Sequence, residues 1–168
     1  MIVDTNAASV SVNIAPMTVD QAEETSCLFR DVLSAVPYYN QLAKETQLAK
    51  YTAARLISLI SLDPGAVLIA TIATGLIGYC ISEIDDGTIW LDWFGVRQDF
   101  RRKGLGFELL KSLERRCRTT GTHKIWCDSR ANNIESADVL MRSKFKPLCT
   151  IDNHWYGQDF ILWEKVIA

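Results

Sequence analysis

Apolar and polar residues alternate over 10–14, where Val10, Val12 and Ile14 flank Ser11 and Asn13; this is the period of a half-buried strand. The pattern then lengthens. Thr18-Val19-Asp20-Gln21 reads as a capping box, and Val19, Ala22, Ser26, Phe29 and Leu33 fall on one helical face until Pro37 interrupts it. A second helix is expected from about Asn40, with Ala49, Ala53, Leu56, Ile57 and Ile60 aligned, ending at Asp63-Pro64-Gly65.

Residues 64–82 carry no charge, a length that invites comparison with a membrane span. Thr71, Thr74, Gly75, Gly78 and Ser82 interrupt the run, and Ala73-Thr74-Gly75 has the makeup of a turn. Two buried strands, 66–73 and 76–84, are therefore expected. Asp85-Asp86-Gly87 is a hairpin turn, and the aromatic stretch 88–96 is a third consecutive strand. A basic loop, 97–103, leads into a helix with Leu109, Leu110, Leu113 and Cys117 inward, closed by Gly121. A strand at 124–128, a helix capped by Asn132 or Asn133 and running to about Ser143, and strands at 145–150 and 158–166 complete the order. Three tightly connected strands demand antiparallel pairing, whereas the strand–helix–strand unit through Gly106 demands a parallel pair.

The composition is that of an ordinary globular chain: 48% hydrophobic, 23% charged, net charge −2 over 168 residues. A single domain is expected over 1–168, with 1–9 poorly ordered. The charge balance offers no general attraction for nucleic acid or an anionic membrane. Cys27, Cys80, Cys117, Cys127 and Cys149 are scattered, without the spacing of a metal site, and are expected as reduced thiols. Met1-Ile2-Val3-Asp4 lacks the basic region of a signal peptide, so the expected location is cytoplasmic, as a monomer or homodimer.

The chemistry is concentrated in Val96-Arg97-Gln98-Asp99-Phe100-Arg101-Arg102-Lys103-Gly104-Leu105-Gly106. The segment leaves a buried strand, passes basic residues and enters a helix whose first N–H groups are unpaired, a pattern suited to phosphate. Gly104 and Gly106 would allow close backbone approach. No Lys-Ser/Thr follows for a P-loop, and Leu109 stands where a dinucleotide fingerprint needs its third glycine. Arg101-Arg102-Lys103-Gly104-Leu105-Gly106, with the strand before it, the amphipathic helix after it, Asn133 opening the next helix and Lys144-Phe145 beyond, resembles the GCN5-related N-acetyltransferase (GNAT) superfamily. The resemblance spans roughly 10–166. It implies a three-layer αβα sandwich around a mixed, mostly antiparallel sheet of about seven strands, and acetyl-CoA as co-substrate. It assigns the pyrophosphate to Arg101, Arg102, Lys103, Gly104, Leu105 and Gly106, and the pantetheine arm to the strand at Phe94 and Val96, with Asn133 contacting it.

Acetyl transfer to an amine needs a base, donors for the oxyanion and a proton for the departing thiolate. The resemblance places the family's usual proton-donating Tyr at Leu140, and its Gly before Phe145 at Lys144. Tyr156, in the loop before the last strand, is the substitute acid. Asp92, within an apolar strand, and His154 are candidate bases. Asp128, also considered as a base, and the Tyr38-Tyr39 pair are expected to border the amine acceptor. The expected acceptor is a primary amine: a peptide N-terminus, a lysine or a small-molecule amine. The alternative is a catalytically silent acyl-CoA-binding or regulatory module, which the missing Tyr favours.

Overall fold

A computed structural model describes residues 2–5 and 8–167, with side chains from Ser11. The alternating N-terminal stretch forms more strand than its pattern suggests. Strands β1 (Ile2–Thr5) and β2 (Ala8–Ser11) pair as an antiparallel hairpin, and the first strand of the main sheet, β3 (Asn13–Pro16), starts later than the expected 10–14. Thr18 N–H then donates to Gln21 Oε1 at 2.9 Å, the reciprocal half of a capping box. Helix α1 (Ala22–Ala35) buries Ala22, Ser26, Phe29 and Leu33 as expected, but Val19 lies in the preceding turn and is exposed.

The expected single helix after Asn40 is two. Helix α2 (Gln41–Lys50) is capped by Asn40, whose Oδ1 accepts from Ala43 N–H at 2.9 Å. Tyr51 leaves helical geometry and Thr52 caps α3 (Ala53–Leu62) by accepting from Arg55 N–H. A mid-segment Thr able to bind a backbone N–H three residues on competes with helix continuation.

The uncharged run 64–82 forms β4 (Val67–Ile72) and most of β5 (Gly75–Asp85). Then come β6 (Thr88–Val96), α4 (Leu105–Thr120), β7 (Lys124–Arg130), α5 (Ile134–Arg142), β8 (Lys146–Ile151) and β9 (Phe160–Val166). The main sheet has seven strands in the order β3-β4-β5-β6-β7-β9-β8. Only β6–β7 is parallel. One face carries α1 and α3 over Phe29, Leu33, Leu56, Val67 and Ile81, and the other carries α4 and α5 over Ile77, Ile89, Leu109, Leu113 and Leu140. Each face is apolar because β4 and β5, buried on both sides, read as continuous hydrophobic runs. The three-layer αβα architecture is the one expected. Lys144, just past α5, adopts φ +65°, a conformation that favours the glycine it replaces. Among the described residues no helix is long and apolar enough to cross a membrane.

Candidate active site

The parallel ladder between β6 and β7 is short. It joins Thr88 to Lys124, Ile89 to Ile125 and Trp90 to Trp126, and then stops, although β6 runs on to Val96 and β7 to Arg130. The two strands splay, and the sheet opens in its middle. A cleft of about 520 Å³ fills the opening, walled by Phe94, Gly95 and Val96 of β6, Val32 and Val36 of α1, the loop before α4 and the start of α5. Beyond Trp90 the edge of β6 that faces β7 has no strand beside it, so its main-chain groups are available to a ligand lying along it.

At one end of the cleft the loop enters α4 with Gly104 at φ +81° and Arg102 at φ +60°. Gly104 is required by that left-handed geometry. A Cβ there would meet nothing within 4 Å, and one on Gly106 would make only ordinary contacts with Val139 and Phe94. Nothing in the protein itself crowds either glycine, so any benefit from their small size at that end falls to a ligand. Arg101 lines the cleft and its Nε donates to Val96 O at 3.1 Å. Arg102 is exposed and pairs with Glu135 at 3.5 Å. Lys103 turns away: its Nζ donates to Asp99 O at 2.8 Å and it is absent from the cleft wall. Leu105 sends its side chain into the core while its backbone begins the helix. Asn133 is buried, and its amide is spent at the start of α5, accepting from Ser136 N–H at 3.1 Å and donating to Ser136 Oγ at 2.7 Å.

A smaller chamber of about 80 Å³ adjoins the cleft. Its walls include Tyr38, Tyr39, Asp92, Trp93, Cys127 and Asp128. Asp92 is placed there by a β-bulge: the β5–β6 register slips between Ile81 and Ser82, leaving Asp92 as the extra residue. Its Oδ1 accepts from Tyr51 Oη at 3.1 Å and lies 3.8 Å from Lys50 Nζ, while Oδ2 is buried without a hydrogen-bond partner. Burial pushes the carboxyl up to about 6, with Lys50 opposing the shift. Asp128 on β7 accepts from Trp155 Nε1 at 2.9 Å, and burial raises its pKa as well. Tyr39 stacks on the guanidinium of Arg130, 3.9 Å away, and that side chain is buried.

The other two residues expected in catalysis stand outside both walls. Tyr156, at φ +59°, has its hydroxyl bonded by Gln47 Nε2 at 2.6 Å, and its carbonyl accepts from Asn40 Nδ2 at 2.8 Å. This ties the β8–β9 loop to α2. The His154 ring packs 4.4 Å from Trp155 and 5.8 Å from Phe160. Leu140 is buried in the core on the α4/α5 side. Sequence reasoning missed Gln47, Trp155 and Ser136. Ser136 sits three residues after a capping Asn and could have been found from that spacing; nothing in the sequence marks Gln47 or Trp155.

An open sheet with a cleft leading to a helix entry is a shape that known proteins share. The acetyltransferase (GNAT) family model matches residues 32–145, more than half of the chain. The chain belongs to the GNAT acetyltransferase family. Acetyl-CoA is the acetyl donor that membership brings with it, and the unpaired β6 edge, the open cleft and the amide-rich start of α4 fit such a molecule. Among solved structures, the chain is similar to PaiA N-acetyltransferase of Thermoplasma acidophilum in complex with coenzyme A, at TM-score 0.78 and 20% identity, over 93% of this chain and 99% of that one. It is similar to Ard1 of Thermoplasma volcanium at TM-score 0.77 and 17% identity, over 95% and 99%. It is also similar to the ribosomal-protein-S18-alanine N-acetyltransferase of Escherichia coli at TM-score 0.70 and 15% identity, over 94% and 95%. At such identities these likenesses speak for the GNAT fold alone. No curated protein sequence matches the chain.

Proposed function

We propose that the protein is an acetyl-CoA-dependent N-acetyltransferase that passes the acetyl group to a primary amine by direct attack in a ternary complex. The observation that carries this reading is the junction of the open cleft with a chamber walled by two half-buried carboxylates, Asp92 and Asp128. In the cleft, main-chain groups of 94–96 hold the pantetheine arm as an added strand would be held. The 101–106 backbone, with the positive end of α4 and the nearby Arg101, holds the pyrophosphate. Acetyl-CoA supplies an activated thioester.

The amine arrives protonated near neutral pH, with a free pKa of about 8 for an α-amine and about 10.4 for a lysine. Asp128 receives the ammonium at the chamber mouth. Asp92 takes its proton, because a carboxyl raised to about 6 is a far better base near neutrality than an ordinary aspartate. Backbone N–H groups of β6 stabilise the oxyanion that forms on attack. Peptide N-termini, lysines and small-molecule amines are the acceptor classes considered, and α-amines lose the required proton most readily.

A second reading has one observation in its favour. Leu140, at the place where the family resemblance expects a proton-donating Tyr, is buried and apolar. A silent acyl-CoA-binding module would need no such donor. The two readings separate by assaying release of the CoA thiol from acetyl-CoA with peptide α-amines, lysine peptides, polyamines and aminoglycosides, alongside thermal shifts with CoA. Turnover with one amine class and stabilisation by CoA are expected. Stabilisation without turnover supports the silent module, and no response to CoA overturns both.

A further inference from the structure

If Leu140 cannot donate a proton, another group must, or the thiolate must leave unassisted. The place to look is the junction of cleft and chamber. The donor's long arm needs the cleft, and the amine needs the chamber, so the sulfur between them lies where the two meet. Six residues line both spaces: Val32, Val36, Tyr38, Phe94, Asn133 and Ser136. Three are apolar. Asn133 is committed to capping α5, and Ser136, whose Oγ accepts from Asn133 Nδ2, carries an aliphatic hydroxyl far less acidic than a phenol. Tyr38 alone among the six carries a titratable side chain.

We propose that Tyr38 is the general acid of the reaction, its phenol giving a proton to the departing thiolate in place of the hydroxyl that Leu140 lacks. This rests on the acetyltransferase reading above. The loop between α1 and α2 is built to hold the residue. Gln158 Nε2 donates to Tyr38 O at 2.8 Å, the Tyr38 ring packs 5.4 Å from that of Tyr39, and Tyr39 is stacked on Arg130. The backbone is thereby pinned while the hydroxyl has no hydrogen-bond partner among the described residues. Burial raises the phenol pKa, with Glu135 of α5 adding to the shift and Arg101 and Arg130 opposing it. The group therefore stays protonated through the neutral range, as an acid must.

The step balances without an external reagent. The amine nitrogen forms its bond to the acetyl carbon, and the C–S bond breaks with its electron pair going to sulfur. The Tyr38 proton moves to sulfur as that charge develops. Asp92 passes the ammonium proton to solvent before attack, then takes the second N–H proton as the intermediate collapses; that proton returns to the phenolate through solvent, so one N–H of the free amine is exchanged for one S–H.

The test is Tyr38→Phe, which keeps the ring and its packing. With acetyl-CoA and an amine that the wild-type protein acetylates, kcat should fall by roughly a hundredfold, the low end for a lost general acid, and KM for acetyl-CoA should stay within about threefold. The selenoester analogue of acetyl-CoA separates acid catalysis from substrate positioning, because a selenolate leaves without needing a proton. On that donor the defect should shrink to within about threefold of the wild-type protein. An equal defect on both donors, or an unchanged kcat on the thioester, overturns the assignment. Failure of the wild-type protein to turn over any amine overturns the underlying reading instead, and the assignment with it.

Discussion

The indole N–H of Trp155 holds Asp128 Oδ2 at 2.9 Å, joining the β8–β9 loop to the mouth of the small chamber. Trp155 is 53% exposed, a large apolar ring kept at the surface where it packs on His154 and bonds a half-buried carboxylate. Burial raises the Asp128 pKa and this bond is the largest force opposing it. Trp155→Phe removes the donor and keeps an aromatic ring. The carboxyl should then titrate at higher pH, and the acid limb of kcat/KM for the amine should move up with it. Amine KM should rise several-fold while affinity for CoA is unchanged. A pH profile of amine kcat/KM, with CoA titrated separately, checks both.

Asp92 is predicted to weaken the fold at the pH where it works. Its folded pKa of about 6 lies above the ordinary value of 3.8. The neutral form is therefore favoured by folding, and the associated stability is complete below pH ~4 and lost as pH rises through about 6. Asp92→Asn should raise stability at pH 8 by on the order of 1–3 kcal/mol, or several degrees in Tm. The gain should vanish near pH 4. The same variant should lose ~100-fold or more in turnover. Thermal melts of variant and wild-type protein at the two pH values, beside an activity assay, test the pair; a gain over the wild-type protein no larger at pH 8 than at pH 4 contradicts it.

The two loop glycines should behave differently. Gly104 sits at φ +81°, so Gly104→Ala should cost about 1–2 kcal/mol even without ligand. Gly106 has ordinary space for a Cβ in the protein alone, so Gly106→Ala should leave the melting temperature nearly unchanged. A pyrophosphate drawn onto that backbone would meet the new methyl, and CoA affinity should drop about tenfold or more, ~1.4 kcal/mol. Calorimetric titration of both variants with CoA distinguishes the roles. Full affinity in Gly106→Ala would move the pyrophosphate elsewhere.

What was legible in the sequence was what local chemistry determines. The uncharged run with Ala73-Thr74-Gly75 at its centre reads as two strands, and Gly104 and Gly106 mark the loop that enters α4 at one end of the cleft. The break at Tyr51 and Thr52 was harder, because apolar residues on either side keep nearly the same helical phase. The catalytic neighbourhood was harder still. Asp92 was found because a carboxylate in an apolar strand is conspicuous, yet the bulge that turns it toward the chamber is a property of two strands. Tyr156 was expected at the reacting atoms because its loop lies near the acceptor. In the structure its hydroxyl accepts from Gln47 Nε2, a residue 109 positions away that no local pattern connects to it, and Tyr156 stands outside the walls of cleft and chamber. The alternation of 10–14 suggested one strand where a hairpin and a later strand form, since a short alternating run does not reveal its partner.

The unpaired stretch of β6 bears on how such a chain can drift. A donor gripped by main-chain amides and carbonyls asks little of the side chains at 94 and 96 beyond extended geometry. Proteins of the same architecture stand at 15–20% identity to this chain, and a grip of that kind would constrain few of the differing side chains. On the proposed reading, substitutions that change the accepted amine should fall on the far side of the opening, at Tyr38, Tyr39, Asp92, Asp128 and Trp155. On that reading the gap in the sheet divides the molecule into a half that carries the acetyl group and a half that chooses its destination.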